Sequence, residues 1–289
     1  MYHSLAQLLE LANSDNLMLW EIVLKNEKEL TSKNEEQVFS ALKDRLDIMR
    51  TSAKKALNNE LTTVGGLISG TAKKQYNYSK DKNSICGSFL NEVMAFALSG
   101  SETNAAMGKI CAAPTAGSCG ILPAVLFAME KRYNLNETEI LKGLLTASGI
   151  GAIISKNATV AGAEGGCQAE CGVAAAMSAA AAVYLAGGDN NTAIDACSLA
   201  LINIMGLVCD PIAGLVQIPC AQRNASQAVN ALISADMALG GMKCVIPPDE
   251  VVDAMYRVGR MMPTELKETA MGGIAVTQTG QEIMNNIFN

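Results

Sequence analysis

The sequence predicts an all-α protein, a predominantly helical single domain over residues 1–289 with an apolar helical core. Hydrophobic residues make up 49% of the chain and aromatic residues only 4%, so the apolar content is mostly Ala, Leu, Ile and Met. Ala, Leu and Met favour helix. Few runs rich in the aromatic residues typical of strands are present. The third observation is a long central segment that is poor in charge.

Amphipathic helices are predicted over about residues 1–60. Asn34 is a predicted N-cap, because the apolar positions that follow it have helical spacing and charged residues fill the other face. Those apolar positions are Val38, Ala41, Leu42, Leu46, Met49, Ala53 and Leu57. This pattern is typical of helices with one solvated face.

Turns and caps punctuate the following segments. Residues 76–84 are polar and predict a loop, and residues 109–126 contain prolines and glycines that predict a turn-rich loop feeding a helix. Asn136 and Glu139 have the spacing of a capping box for a helix that runs to about Gly149. Near the carboxyl end, three prolines predict helix starts, at Pro247, Pro248 and Pro263.

A charge-poor core is predicted over about residues 143–242, which contain only eight charged residues. They are Lys156, Glu164, Glu170, Asp189, Asp195, Asp210, Arg223 and Asp236. Helices that are apolar nearly all round are buried inside a large core or beneath another subunit. A charge in such a place needs a partner or a chemical task, because burying it unpaired is costly.

Composition also excludes several classes of protein. The net charge of -6 argues against a nucleic-acid surface, which would carry a basic stripe. The first 16 residues lack the pattern of a signal peptide, and the charge-free run 171–188 is rich in Ala and Gly. Since a membrane span needs about 20 strongly apolar residues, we expect that run to be a buried core helix in a cytoplasmic protein.

Nine cysteines in a chain without an export signal suggest metal ligands or nucleophiles more than disulfides. Three of them stand beside residues that break helices: Cys167 after two glycines, Cys209 before Asp-Pro, and Cys220 after a proline. We expect these thiols at loops or helix ends, where a bulky cofactor can approach. The others, Cys86, Cys111, Cys119, Cys171, Cys197 and Cys244, have contexts typical of small buried hydrophobes. Spacing alone leaves a metal site and core cysteines equally open.

Three segments carry a family resemblance: GAEGGCQAECGVAAAMSAAA, GLVCDPIAGLVQIPCAQRNA and CAAPTAGSCGILPAVL. They closely resemble the alpha subunit of iron–sulfur-dependent L-serine dehydratases (L-serine deaminases). The similarity extends through nearly the whole chain, from LAQLLELA near the start to TQTG near the end. The motif CDPxxGLVQIPC is long and specific.

The resemblance implies a 4Fe–4S cluster with three cysteine ligands, which map onto Cys167, Cys209 and Cys220. No ligand role is carried over to Cys171, because the family often has an aliphatic residue there. Ala116 and Ala169 also depart from the Asn and Gly common in relatives, which puts a polar contact at position 116 in doubt.

The implied function is a lyase that dehydrates and deaminates L-serine to pyruvate and ammonia. Three thiolates leave one iron open to act as a Lewis acid on the hydroxyl. Lys156, in the charge-poor segment, is the candidate base or carboxylate ligand, although it could equally form an ion pair with Glu164 or Glu170. Polar candidates for contacting the substrate, which could also be ordinary turn or cap residues, are Thr115, Ser118 and Asn157.

Related enzymes carry a beta domain or subunit with a Ser-Ser-His-Thr type motif. This chain has no such segment, and His3 is its only histidine, so a beta subunit is the expected partner. Other possibilities remain open: a related L-cysteine desulfidase, a pyridoxal phosphate lyase using Lys156, or a helical scaffold with a purely structural cluster.

Overall fold

The computed structural model describes residues 1–288, which form thirteen α-helices and contain no β-strand. Within that range the nearest approach to a sheet is one isolated parallel bridge between Cys209 and Lys267. The prediction of an all-α fold is therefore confirmed.

The amino-terminal helices are α1 (Leu5–Ser14), α2 (Leu19–Thr31) and α3 (Glu35–Lys55). Asn34 caps α3 as predicted: its Oδ1 accepts a hydrogen bond from Gln37 N at 2.9 Å, and its own N donates to Gln37 Oε1 at 3.0 Å. This reciprocal pair satisfies two backbone donors that would otherwise lack partners.

The helices that lead into the core are α4 (Thr71–Tyr78), α5 (Gly87–Ala105), α6 (Ile121–Tyr133) and α7 (Glu137–Asn157). The predicted loop over residues 76–84 therefore begins inside α4 and becomes irregular only after it. The turn-rich segment before α6 is confirmed.

Helix α7 continues two turns beyond its predicted end near Gly149. That glycine lies inside the helix and does not terminate it. A Cβ on it would overlap the Val23 side chain of α2. It serves close packing between helices. At the other end, the capping box predicted from Asn136 and Glu139 is only half formed. Asn136 Oδ1 accepts from Glu139 N at 3.1 Å, but the Glu139 carboxylate pairs with Lys142 Nζ instead of the Asn136 backbone.

Helix α9 (Val173–Leu185) is the centre of the fold, and α6, α7, α10 (Asn190–Ile202) and α11 (Cys220–Leu239) pack around it. Residues 173–183 are all buried. Its alanines leave little side-chain bulk, so neighbouring helices approach closely on every side. The prediction of a buried core helix within residues 171–188 is confirmed.

Short elements complete the chain between and after these helices. They are α8 (Gly162–Gly165), a π-helical turn (Gln168–Gly172), α12 (Pro248–Met261), α13 (Gln278–Phe288) and three 3-10 turns (Ile212–Gly214, Thr264–Leu266 and Gly273–Val276). Pro248 is the first residue of α12, as predicted, and Pro263 precedes a 3-10 turn instead of an α-helix.

None of the helices in residues 1–288 is both long enough and apolar enough to cross a lipid bilayer.

Asp189 caps α10, and its Oδ1 accepts from Thr192 N at 2.8 Å. This backbone hydrogen bond lowers the pKa of Asp189 below its ordinary value. A carboxylate with a depressed folded-state pKa stabilises the fold above its unfolded-state pKa of about 3.9, and the stabilisation disappears as pH falls through the folded-state pKa.

We therefore expect wild type to lose stability relative to Asp189→Asn as pH falls from about 5 to about 3, because the amide caps comparably and does not titrate. Urea unfolding of both proteins across that range measures the difference. A difference that stays constant with pH would show that the cap's charge contributes nothing.

Candidate metal centre

Each of the three cysteines beside helix breakers lies where regular structure begins or is interrupted. Cys167 immediately precedes the π-helical turn, Cys209 lies in the loop after α10, and Cys220 is the first residue of α11. All three are buried, with 2%, 2% and 7% of their surface exposed. The predicted placement at loops and helix ends is confirmed.

The Cys167 segment is fixed by its two neighbours in sequence. Gly166 has a φ of +74°, and a Cβ there would lie 2.8 Å from Leu207 O, so only glycine fits. The fully buried Gln168 side chain donates to Met255 O at 2.9 Å and accepts from Gly206 N at 2.8 Å. These contacts join the segment to α12 and to the loop that leads to Cys209.

Cys209 is held by the segment that follows α12. Its N donates to Leu266 O at 2.9 Å, and its O accepts from Glu268 N at 2.8 Å. The next residue, Asp210, is also buried, and its Oδ2 accepts from Ile274 N at 2.8 Å. The position of this thiol therefore depends on residues more than 50 positions away in the sequence.

Asn224 ties the start of α11 to the loop that precedes α6. Its Nδ2 donates to Cys220 O at 2.9 Å and to Gly117 O at 2.7 Å, and its Oδ1 accepts from Gly120 N at 2.9 Å. The Cys220 end of α11 and the proline- and glycine-rich loop are consequently one unit.

Cys167, Cys209 and Glu170 bring three potential ligand atoms together. The two Sγ atoms and one carboxylate oxygen of Glu170 all lie within 4.8 Å of one another, and all three residues are buried. Hydrogen bonds from the thiols of Cys171 and Cys209 hold the pKa of Cys167 well below its usual range, and the charge of Arg223 acts in the same direction. Cys167 is therefore the preferred site for a thiolate.

The neighbouring thiols have the opposite shift. The pKa of Cys209 is raised, first by its hydrogen bond to Cys167 and then by burial. Burial, followed by the charge of Cys167, raises the pKa of Cys220. A bound cation would favour the thiolate at each of them, because thiols coordinate metals in the deprotonated form.

Glu170 is the acidic residue of this group, and the sequence did not single it out beyond a possible ion pair. Its Oε1 accepts from Thr115 Oγ1 at 2.9 Å. Burial, followed by the charge of Cys167, raises the pKa of Glu170 to about 8. Gly117 and Gly162 face its carboxylate, and a Cβ at Gly162 would lie 2.6 Å from Glu170 Oε2.

Two of the predicted substrate-binding residues, Thr115 and Ser118, lie at this group. Thr115 Oγ1 is 3.1 Å from Ser118 Oγ, and Ser118 is fully buried beneath it. The two hydroxyls and Glu170 thus form a short hydrogen-bonded chain that leads towards the thiols.

Lys156 and Asn157 lie elsewhere, on the exposed end of α7. Lys156 Nζ is 3.2 Å from His3 Nδ1, and Asn157 Nδ2 donates to His3 O at 2.7 Å. Within the described chain, neither possible ion pair of Lys156 forms, and Glu164 instead accepts from Thr159 Oγ1 at 2.7 Å. The structure does not bring these two residues to the thiols, and their predicted roles stay predictions.

We expect Lys156→Ala to keep kcat within about twofold of wild type, because the ammonium lies on the exposed end of α7 beside His3 and away from the thiols. Steady-state kinetics on the anaerobically purified variant checks this. A loss of a hundredfold or more would restore Lys156 as the base.

The donor set suits a soft metal cofactor. Thiolates are the ligands that iron–sulfur clusters use, and three separate segments deliver thiols to one buried region. Cys167, Cys209 and Glu170 could hold a metal, and Cys220 lies near enough for the charge of Cys167 to raise its pKa.

Comparison with known proteins matches residues 14–275 to the family described as "Serine dehydratase alpha chain". The chain belongs to the serine dehydratase alpha chain family. Within that family it is 49% identical to "L-serine dehydratase, alpha chain" of Peptoniphilus asaccharolyticus over 288 residues, which cover 100% of this chain and 99% of the relative. It is 42% identical to "Probable L-serine dehydratase, alpha chain" of Bacillus subtilis (strain 168), with 100% and 96% covered.

A longer serine dehydratase relative differs in organisation. "L-serine dehydratase TdcG" of Escherichia coli (strain K12) is 35% identical over 281 residues, which cover 95% of this chain and 62% of that protein. The matched region is therefore a part of a longer polypeptide in that relative.

Proposed function

We propose that this chain is the alpha chain of an L-serine ammonia-lyase, which converts L-serine to pyruvate and ammonia. The observation that carries the proposal is the buried group of Cys167, Cys209 and Glu170, whose ligand atoms lie within 4.8 Å of one another. Its cysteines belong to the two motifs with the strongest family resemblance. Support also comes from the relatives named as L-serine dehydratase alpha chains, which match over 99% and 96% of their length.

We further propose that Cys167, Cys209 and Cys220 hold a 4Fe–4S cluster. Three buried thiols on separately anchored segments support this assignment, and Cys171, although it contacts Cys167, is left outside the ligand set. When bound, a cluster with three protein thiolates supplies one iron that can act as a Lewis acid on a hydroxyl.

Glu170 is the group we propose as acceptor of the serine Cα proton. Elimination removes that proton and the β-hydroxyl, and the resulting aminoacrylate becomes an imine that hydrolyses to pyruvate and ammonia. The Glu170 carboxylate lies beside the thiols, and the hydrogen bond from Thr115 fixes its direction. A base must lie within hydrogen-bond reach of the proton that it removes, which favours this carboxylate over the exposed Lys156.

Thr115 and Ser118 are proposed to orient the substrate and the base. The Thr115 hydroxyl contacts Glu170 directly, while Ser118 supports Thr115 from the buried side. Because Ser118 and Glu170 are buried, hydrogen bonds made by these two side chains are stronger than they would be in solvent.

A beta chain is the proposed partner. The relatives that match over their full length are named alpha chains, and the E. coli relative continues beyond the matched region. We propose that the partner supplies the histidine-bearing segment that this chain lacks. We also propose that the enzyme works in the cytoplasm, where reducing conditions preserve free thiols.

Anaerobic purification with and without a co-expressed beta chain tests the function. We expect a brown protein that contains iron and sulfide and turns over L-serine faster than L-cysteine, with full activity only in the two-chain preparation. A yellow protein without iron, or faster release of sulfide from cysteine, would contradict the proposal.

A further inference from the structure

Arg223 lies on the first turn of α11, three residues after Cys220. Its Nη1 donates to Val208 O at 2.7 Å, and its Nη2 donates to Asp210 Oδ1 at 2.8 Å. These two acceptors belong to the residues on either side of Cys209. One guanidinium thus connects the helix start that bears one proposed ligand to the backbone that presents another.

The third thiol belongs to the same group, because Cys209 Sγ lies within 4.8 Å of Cys167 Sγ. The guanidinium that holds both neighbours of Cys209 therefore supports the segment that faces Cys167. Arg223 thus joins the Cys209 and Cys220 segments directly and, through Cys209, fixes their position relative to Cys167. A planar fork with several donors can do this, whereas a point charge cannot.

The Arg223–Asp210 pair is buried, with 15% and 4% of the two side chains exposed. Asp210 is in turn bound by Ile274 N at 2.8 Å, which extends the connection to the carboxyl-terminal segment. A buried ion pair is weak evidence for stability, because loss of hydration offsets most of the attraction. The ion pair lies between the start of α11 and the residues that flank Cys209, which points to a role in positioning these segments.

We propose that Arg223 is a positioning residue that sets the spacing of Cys167, Cys209 and Cys220 for cluster binding, and that its charge stabilises the reduced cluster. The inference deepens the proposed function and rests on it, since it presumes the cluster. Groups that hold metal ligands in place contribute about 10–100-fold to metal affinity, and charge beside a cluster shifts its reduction potential.

Shape and charge can be separated by two substitutions. For Arg223→Gln, which loses both, we expect iron release to a chelator about 10–100-fold faster than in wild type and a more negative reduction potential. For Arg223→Lys, which keeps the charge, we expect a potential near that of wild type. Iron release should still be faster, because one ammonium cannot reproduce the two-pronged contact.

Both properties are measured on the full-length chain, purified anaerobically and reconstituted with iron and sulfide. The half-time of iron transfer to a chelator gives retention, and a redox titration followed by electron paramagnetic resonance gives the potential. Arg50→Gln is the matched control, since Arg50 also makes a two-pronged ion pair, half-buried and with Glu130, away from the thiols. It should match wild type in both measurements.

Wild-type iron retention and potential in Arg223→Gln, or equal losses in Arg50→Gln, would overturn the inference. If Arg223→Gln fails to fold by circular dichroism, Arg223→Lys carries the test, and unchanged iron release in it has the same consequence. Cys167→Ala separates the two proposals. If it retains the cluster, the proposed function fails; if it loses the cluster while Arg223→Gln does not, only the inference about Arg223 fails.

Discussion

Replacing Cys167 with alanine is expected to abolish cluster binding and to lower kcat for serine by about a thousandfold or more. Cys167 Sγ lies within 4.8 Å of both Cys209 Sγ and a Glu170 carboxylate oxygen, so its loss removes the centre of the thiol group. The magnitude follows because a Lewis acid supplies several kcal/mol of transition-state stabilisation, and each 1.36 kcal/mol corresponds to about tenfold in rate. Iron and sulfide analysis with steady-state kinetics measures both effects.

Two further alanine variants make this result specific. Cys197 is fully buried in α10 and lies outside the thiol group, so Cys197→Ala should keep both iron and activity. Cys171→Ala removes a neighbour of Cys167 that we leave outside the ligand set, and it should also retain iron. Loss of the cluster in Cys171→Ala but not in Cys167→Ala would show that the ligands have been misassigned.

Replacing Glu170 with glutamine is the second change with a large expected effect, a loss of about 10²–10⁴ in kcat, the usual contribution of a general base. Glutamine keeps the shape and can still accept from Thr115, but it cannot take up a proton. We expect iron content to equal that of wild type. Exchange of the serine Cα hydrogen with solvent, followed by NMR, should fall in parallel with kcat.

Glu164→Gln provides the matched control in the same segment. Glu164 is exposed and accepts from Thr159, so its substitution should leave kcat and hydrogen exchange near wild-type values. If Glu170→Gln loses iron as completely as Cys167→Ala does, Glu170 is a ligand and not the base. Unchanged hydrogen exchange would also exclude the role of base.

The features that the sequence predicted well depend on nearby residues. Asn34 and its partner Gln37 are three positions apart, so the cap is visible in the sequence. The positions of Cys209 in a loop and of Cys220 at a helix start follow from the nearby prolines Pro211 and Pro219, which interrupt helices. The choice of these cysteines from nine came from the family resemblance, because spacing did not distinguish them.

What the sequence could not predict depends on contacts between distant segments. Glu170 becomes a candidate base only because Thr115 and Gly117, more than 50 positions earlier, face its carboxylate. For Lys156 the sequence suggested burial, because its neighbourhood is poor in charge. In the structure α7 extends to Asn157, and its last turn, with Lys156, is exposed to solvent. In both cases helix packing, and not local composition, determines the environment of the charge.

Mössbauer spectroscopy of the chain reconstituted with ⁵⁷Fe, with and without serine, tests the central proposal most directly. A 4Fe–4S cluster held by three thiolates predicts one iron whose isomer shift changes when serine is added and three irons whose isomer shifts do not. Four equivalent irons with no response to serine, or a protein that holds no cluster, would contradict the account.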